Sequence, residues 1–194
     1  MTSVTLSLKP FMDRISETDL EQLCKENPEA RLEINTEGQL IIMSPTGSES
    51  GKFNISLAAQ VWTWNNRTKL GVAFDSSTGF KLSNGAVRSP DVSWVTLTKW
   101  NSLTKQQQRK FAPIDPDFVI ELMSPTDDLD ELQNKMREYM NCGVRLGWLI
   151  NPDAKQVEIY RQQKESETLD NPANLSGENT LPGLIVDLQD IFQD

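Results

Sequence analysis

Apolar residues change period several times along this chain, and each change marks an element. Thr18-Asp19-Leu20-Glu21 has the form of a capping box and predicts a short helix. That helix should stop before Asn27-Pro28, because the residue preceding proline avoids helical angles. Arg31 to Asn35 alternates polar with apolar, Glu37-Gly38 reads as a turn, and Gln39 to Met43 returns, which together predict a hairpin. Ser44-Pro45-Thr46-Gly47 breaks the second strand. From about Ser50 the apolar positions Phe53, Leu57, Val61 and Trp64 have the spacing of an amphipathic helix.

After Leu70-Gly71 a strand near Val72–Asp75 precedes a hairpin turning at Asn84-Gly85, a pair suited to a turn whose central positions both take positive φ. The returning strand is expected to carry Pro90-Asp91 and to run on through Val95. Residues 98–116 read as a loop with a short helix from Lys105 to Lys110. Asp117 to Met123 is nearly continuous apolar sequence, the pattern of a central strand buried on both faces. Leu129, Leu132, Met136, Tyr139 and Met140 form the stripe of a helix that stops at Asn141-Cys142-Gly143, with glycine in its usual C-terminal place. Gly147 to Ile150 predicts another buried strand, Asn151-Pro152-Asp153 a turn, and Gln156 to Tyr160 a further strand. A polar tail ends in a short element around Leu184–Phe192. This alternation predicts an α/β fold, a mixed sheet flanked by helices. One domain spans residues 1–194, with an N-terminal helix and hairpin (1–45), a core (46–160) and a tail (161–194).

Bulk properties narrow the chemistry. No apolar run approaches the roughly 20 residues that span a bilayer, so no membrane partner is expected. Met1-Thr2-Ser3-Val4 does not open a charged-then-apolar leader, and a cytoplasmic location is expected. Cys24 and Cys142 stand too far apart for a disulfide framework or a thiolate metal site and read as reduced thiols. There is no histidine, which excludes imidazole bases, imidazole ligands and every nucleophile activated by histidine. Chemistry here must run on carboxylates, amines, hydroxyls and metal ions. The net charge of −9 opposes tight, non-specific phosphate binding unless a basic strip or a bound cation supplies local positive charge.

Two carboxylates lie where a charge is costly. Glu121 sits between Ile120 and Leu122 in the most apolar strand, and Asp91 begins its strand directly after Pro90. If their strands are neighbours, the two acids can share one hard cation such as Mg²⁺. The plainer alternative pairs Glu121 with a buried Arg or Lys and makes Asp91 a turn cap. Asp127-Asp128-Leu129-Asp130-Glu131 lacks the spacing and glycine of a calcium loop and reads as a solvated helix start. Trp64, Trp94 and Trp148 fall on apolar faces or strands and read as core. Lys105, Arg109 and Lys110 form the densest basic cluster, either phosphate contacts or simply an exposed loop.

Taken in order, Pro90-Asp91, Asp117-Phe118-Val119-Ile120-Glu121-Leu122-Met123-Ser124-Pro125, Lys135, Tyr139, Gly143 and Trp148-Leu149-Ile150-Asn151-Pro152 resemble the Uma-two family of the PD-(D/E)xK nuclease superfamily. The likeness covers nearly the whole chain; a lone Pro-Asp would carry none of it. It implies a restriction-endonuclease-like fold and phosphodiester hydrolysis in nucleic acid, DNA foremost, with Mg²⁺ or Mn²⁺ as cofactor. By that resemblance Asp91 and Glu121 are metal ligands, joined by the main-chain carbonyl of Leu122, and Glu49 matches an acid beside the first helix. The lysine usual two residues after the second acid is absent, since that position is Met123, and Lys135 on the following helix matches its relocated form. The family's aspartate one turn earlier is Glu131 here, and its Asp-Pro is Asn151-Pro152. Relatives of this fold often act as twofold dimers, so a homodimer is expected. On helix spacing alone, Lys135 pairs with Glu131 or Glu138, and Glu49 is a first-turn acid favoured by the helix dipole. Met123 and the net charge support an alternative function, an inert nuclease-fold module that binds or interacts without cutting.

Overall fold

The apolar run around Ile120 becomes the strand on which everything else is layered. The computed structural model describes residues 3–6, 15–28 and 30–192. Its first half contains β1 (Ser3–Leu6), α1 (Glu17–Glu26), β2 (Arg31–Ile34), β3 (Leu40–Met43), α2 (Ser48–Thr68), β4 (Gly71–Asp75), β5 (Phe80–Lys81), β6 (Val87–Arg88) and β7 (Val92–Thr96). There follow α3 (Leu97–Ser102), α4 (Lys105–Gln108), β8 (Phe118–Leu122), α5 (Leu129–Asn141), β9 (Leu146–Asn151), β10 (Gln156–Arg161), β11 (Glu167–Asp170), β12 (Asn174–Ser176), β13 (Ile185–Asp187) and α6 (Gln189–Phe192).

The central sheet has the order β11-β10-β9-β8-β7-β4. Its β8·β9 pair is parallel and the other neighbours are antiparallel. A parallel pair needs a crossover, and α5 supplies it. Both faces of this sheet are covered, so β8 is buried throughout. Phe118, Ile120 and Leu122 join Phe53, Leu57, Val61 and Trp64 of α2 in one cluster, while Val119 joins Met136 and Tyr139 of α5 in another. Strand alternation therefore sends Glu121 to the α5 side with Val119. Gly147 lets α5 come close, since a Cβ there would meet the Met136 methyl at 2.5 Å.

The four residues that set the α2 register are all buried as expected, and α5 keeps Met136 and Tyr139 inside. Leu129 departs from its expected stripe and is exposed, at the first position of the helix. The box that starts α1 is formed by Ser16 and Asp19 instead of Thr18 and Glu21, and Ser16 Oγ accepts the Asp19 amide. The helix still ends at Glu26, before Asn27-Pro28.

A smaller sheet, β1-β3-β2-β6-β5, packs on a third cluster of Leu20, Leu32, Ile34, Leu40 and Val87. The β5–β6 hairpin turns through Ser83-Asn84-Gly85, with the Leu82 amide donating to the Ala86 carbonyl and the Gly85 amide to that of Leu82. Only Gly85 takes positive φ, at 89°, so the expected two-residue turn is replaced by a longer one that places its glycine last. The strand expected to run from this hairpin through Val95 is in fact two. β6 belongs to the small sheet and β7 to the central one, and the chain changes sheets across Ser89-Pro90-Asp91. Proline has no amide to give a ladder, which suits it to that break.

The tail holds more structure than its polarity suggests. β11 extends the central sheet, and Leu175, Leu181, Leu184, Val186, Ile191 and Phe192 pack into the cluster under α2. Gln60 clamps this region, accepting the Asp187 amide at 2.7 Å and donating to the Asp187 carbonyl at 3.0 Å. Among the described residues no helix is long and apolar enough to cross a membrane.

Candidate active site

Where the chain changes sheets, the two walls of a cleft of about 790 Å³ meet. The β7–β8 ladder ends with Val92 opposite Ile120, and Asp91 and Glu121 are the residues next beyond that pair. The two acids are 6 % and 4 % exposed and line the same cleft. Asp91 also ties elements together: one carboxylate oxygen accepts the Leu122 amide at 2.9 Å, the other the Asn54 side-chain amide of α2 at 3.0 Å.

Helix α5 reaches into this space with two side chains. Tyr139 donates its hydroxyl to Glu121 Oε1 at 2.8 Å. The Lys135 ammonium lies 3.0 Å from the same oxygen and 3.2 Å from Glu33 Oε1. Lys135 thus pairs with neither Glu131 nor Glu138, and Glu138 instead holds Arg88 at 2.7 Å. Glu121 does gain a lysine partner, which satisfies part of its plainer account. Asp91 is no turn cap, because its acceptors are spent on a strand amide and a helix side chain.

The opposite wall carries Glu33, only 1 % exposed. Its Oε1 accepts the Ser89 amide at 2.8 Å, and its Oε2 accepts from Arg88 Nη1 at 3.0 Å. Neither Glu33 nor Arg88 was singled out by the sequence pattern. Glu33 also stands between two apolar strand residues, but in an alternating strand whose polar positions ordinarily face water.

Charge balance differs from group to group. Burial raises the Asp91 carboxyl above its usual value, and the Leu122 amide and Lys135 offset this only in part. Burial pushes Glu121 up to about 7; Lys135 opposes the shift, while Asp91 and Glu33 add to it. For Glu33 burial acts upward too, but Lys135, Arg88 and the Ser89 amide outweigh it and hold the carboxyl low. Burial pulls on the Lys135 ammonium, yet Glu121 and Glu33 outweigh it and the amine stays protonated.

Other residues marked from the sequence fall elsewhere. Glu49 is exposed in the first turn of α2 and is not part of the cleft lining. Lys105, Arg109 and Lys110 also lie off the cleft, and Lys110 pairs with Glu21 at 2.7 Å. Leu122 lines the cleft beside the acid pair; Met123 is not among its lining residues, and its amide donates to the Ile150 carbonyl. Asp128 caps α5 by accepting the Glu131 amide. Trp64, Trp94 and Trp148 are core.

The donor set suits a hard cation. Among the described residues no cluster of three or more His, Cys, Asp and Glu side chains is arranged to hold a metal. Magnesium sites at phosphates need less, typically one or two carboxylates completed by water and substrate oxygens. Asp91, Glu121 and the Leu122 carbonyl offer oxygen alone, and the chain has no imidazole to favour a softer ion.

A mixed sheet with one parallel pair bridged by a helix, two acids on facing strand ends and an amine from that helix define a restriction-endonuclease-like α/β protein. A model of the Uma2 family, described as "Putative restriction endonuclease", matches residues 18–189, and the chain belongs to that family. A solved structure described as a putative nuclease belonging to DUF820, from Anabaena variabilis, superposes with a TM-score of 0.76 at 21 % identity. That match covers 92 % of this chain and 97 % of the other. No curated protein matches the chain.

Proposed function

We propose that the protein is a divalent-metal-dependent nuclease that hydrolyses phosphodiester bonds in nucleic acid, DNA first among the substrates. One observation carries this reading: two opposed, under-compensated carboxylates share a cleft with a lysine held 3.0 Å from one of them. Asp91, Glu121 and the Leu122 carbonyl would hold Mg²⁺ or Mn²⁺; Glu49, on its exposed helix turn, has no part in that set. When bound, such an ion supplies Lewis acidity to the scissile phosphate and to a nearby water. Lys135 places a fixed positive charge where negative charge grows on the phosphate oxygens. The family description and the fold of the Anabaena protein support the same reading.

Lys135 stands in for the lysine missing at Met123. Lys135→Ala should lower Mg²⁺- or Mn²⁺-dependent cleavage of DNA or RNA by about 10²–10³. Met123→Lys in that background should recover part of the loss. If wild type cuts neither nucleic acid with either metal, or Lys135→Ala cuts equally well, the catalytic reading fails. One feature favours the rival, a nuclease-fold module that binds without cutting. The described cleft lining has seven carboxylates against two cations, Arg88 and Lys135, which repels phosphate until a metal is bound. The reading includes a twofold homodimer, which sedimentation as a monomer at micromolar concentration would remove.

A further inference from the structure

The lysine of this cleft arrives from a helix, and that raises a problem of aim. A lysine two residues after the strand acid is directed by the pleat, since alternate strand residues share a face. A helix-borne lysine comes from another layer on a four-carbon stem with several rotatable bonds, so its head needs an external anchor. Glu33 is placed as that anchor. It belongs to β2 of the small sheet, and it meets Lys135 of α5 across the cleft at 3.2 Å.

Glu33 is itself rigidly held. The Ser89 amide and Arg88 fix its two oxygens, Arg88 is fixed in turn by Glu138, and Glu138 accepts from the Asn84 side chain at 3.0 Å. Of the described partners of Glu33, Lys135 alone also touches the acid pair. An ammonium shared by two carboxylates is pulled toward both. Without Glu33 it would settle wholly on Glu121 and compete with any cation there.

We propose that Glu33 is a positioning residue that draws Lys135 partly away from Glu121, leaving Glu121 open to a divalent ion while keeping the ammonium at the edge of the site. This rests on the nuclease reading above, but it can be tested apart from it. The first measurement uses the metal-free full chain with lysine side chains labelled for ¹³Cε–¹⁵Nζ NMR, the Lys135 signal being assigned by its absence in Lys135→Met. Wild type should show slow ammonium hydrogen exchange at Lys135, and Glu33→Gln should speed it at least about tenfold. Should Glu33→Gln not fold, Glu33→Leu with Arg88→Met removes both buried charges together, a replacement that buried ion pairs often tolerate.

The second measurement is Mn²⁺ affinity by calorimetry. Glu33→Gln should weaken it by about 10–100-fold, as loss of partners behind metal ligands typically does. In a Lys135→Met background the same change should have almost no effect. A plain loss of negative charge would weaken Mn²⁺ binding equally in both backgrounds, and that additive outcome overturns the proposal. Unchanged exchange at Lys135 overturns it as well. If wild type binds no Mn²⁺ and cuts no nucleic acid, the nuclease reading falls, and the exchange measurement still decides whether Glu33 holds the lysine.

Discussion

The two walls of the cleft bury carboxylates equally well and treat them differently. On the small-sheet wall Glu33 is met by Arg88, Lys135 and the Ser89 amide, and its carboxyl is held below its ordinary value. On the central-sheet wall Asp91 and Glu121 face each other with one shared lysine between three acids, and burial raises both of them. A buried carboxylate with a full set of donors is a structural anion. On the reading proposed above, the buried pair short of positive charge is where a cation would sit. The contrast teaches that burial alone does not mark a site; the deficit of compensating charge does.

The strongest way to break the contrast is to remove the compensated member. Glu33→Ala leaves Arg88 and Lys135 each short of a partner in a closed space, and should cost about 3–5 kcal/mol of folding stability by urea unfolding. A loss below about 1 kcal/mol would mean that Glu138 and Glu121 absorb those charges unaided, and the wall would not be a structural unit.

The under-compensated wall is sharpened by pH. The Glu121 carboxyl rises from 4.5 to about 7 on folding, so the folded protein keeps a proton that the unfolded chain has released. Stability of the metal-free protein should therefore fall as pH rises from about 4.5 to about 7, by at most about 1.4 kcal/mol per pH unit from this group. Glu33 has the opposite sign: its contribution is present above 4.5 and is lost as pH falls below that value. Glu121→Gln should flatten the fall between pH 5 and 7. A fall that persists in this variant would assign it to another group.

The smallest expected effect belongs to Tyr139→Phe, which deletes one hydrogen bond to Glu121 and leaves the ring in place. About 1.5 kcal/mol of stability should be lost, near the low end for a bond to a charged group. No measurable loss would show that the lysine alone holds the carboxylate.

Much of the central sheet is legible in the sequence because its signals are local. Phe53, Leu57, Val61 and Trp64 repeat at helical spacing, and Phe118 to Leu122 is apolar on both faces, so each pattern matches the burial it produces. Glu121 stands out against that background. Glu33 does not, because in Arg31-Leu32-Glu33-Ile34 it occupies the polar beat of an alternation that ordinarily faces water. It is buried only because Arg88 and Lys135, 55 and 102 residues further along, cover it. The change of sheet is only half visible, since Pro90 marks a break but nothing local says that Val87-Arg88 and Val92 onward join different sheets. β11 and β12 carry mostly exposed residues and are held by neighbours more than by their own pattern.

Sequence separation within the cleft has a kinetic side. The bond from Leu122 to Asp91 closes 31 residues and the bond from Tyr139 to Glu121 only 18, whereas Lys135 reaches Glu33 across 102. Long closures carry the larger entropic toll and form once shorter ones have ordered the chain. Local opening begins in the units of lowest stability, before a core sheet yields. Were the small sheet to open, Asp91 and Glu121 would stay beside the central sheet while Lys135 lost its contact with Glu33. On the proposed reading, competence at this cleft would report whether two sheets are docked, a property that neither sheet possesses by itself.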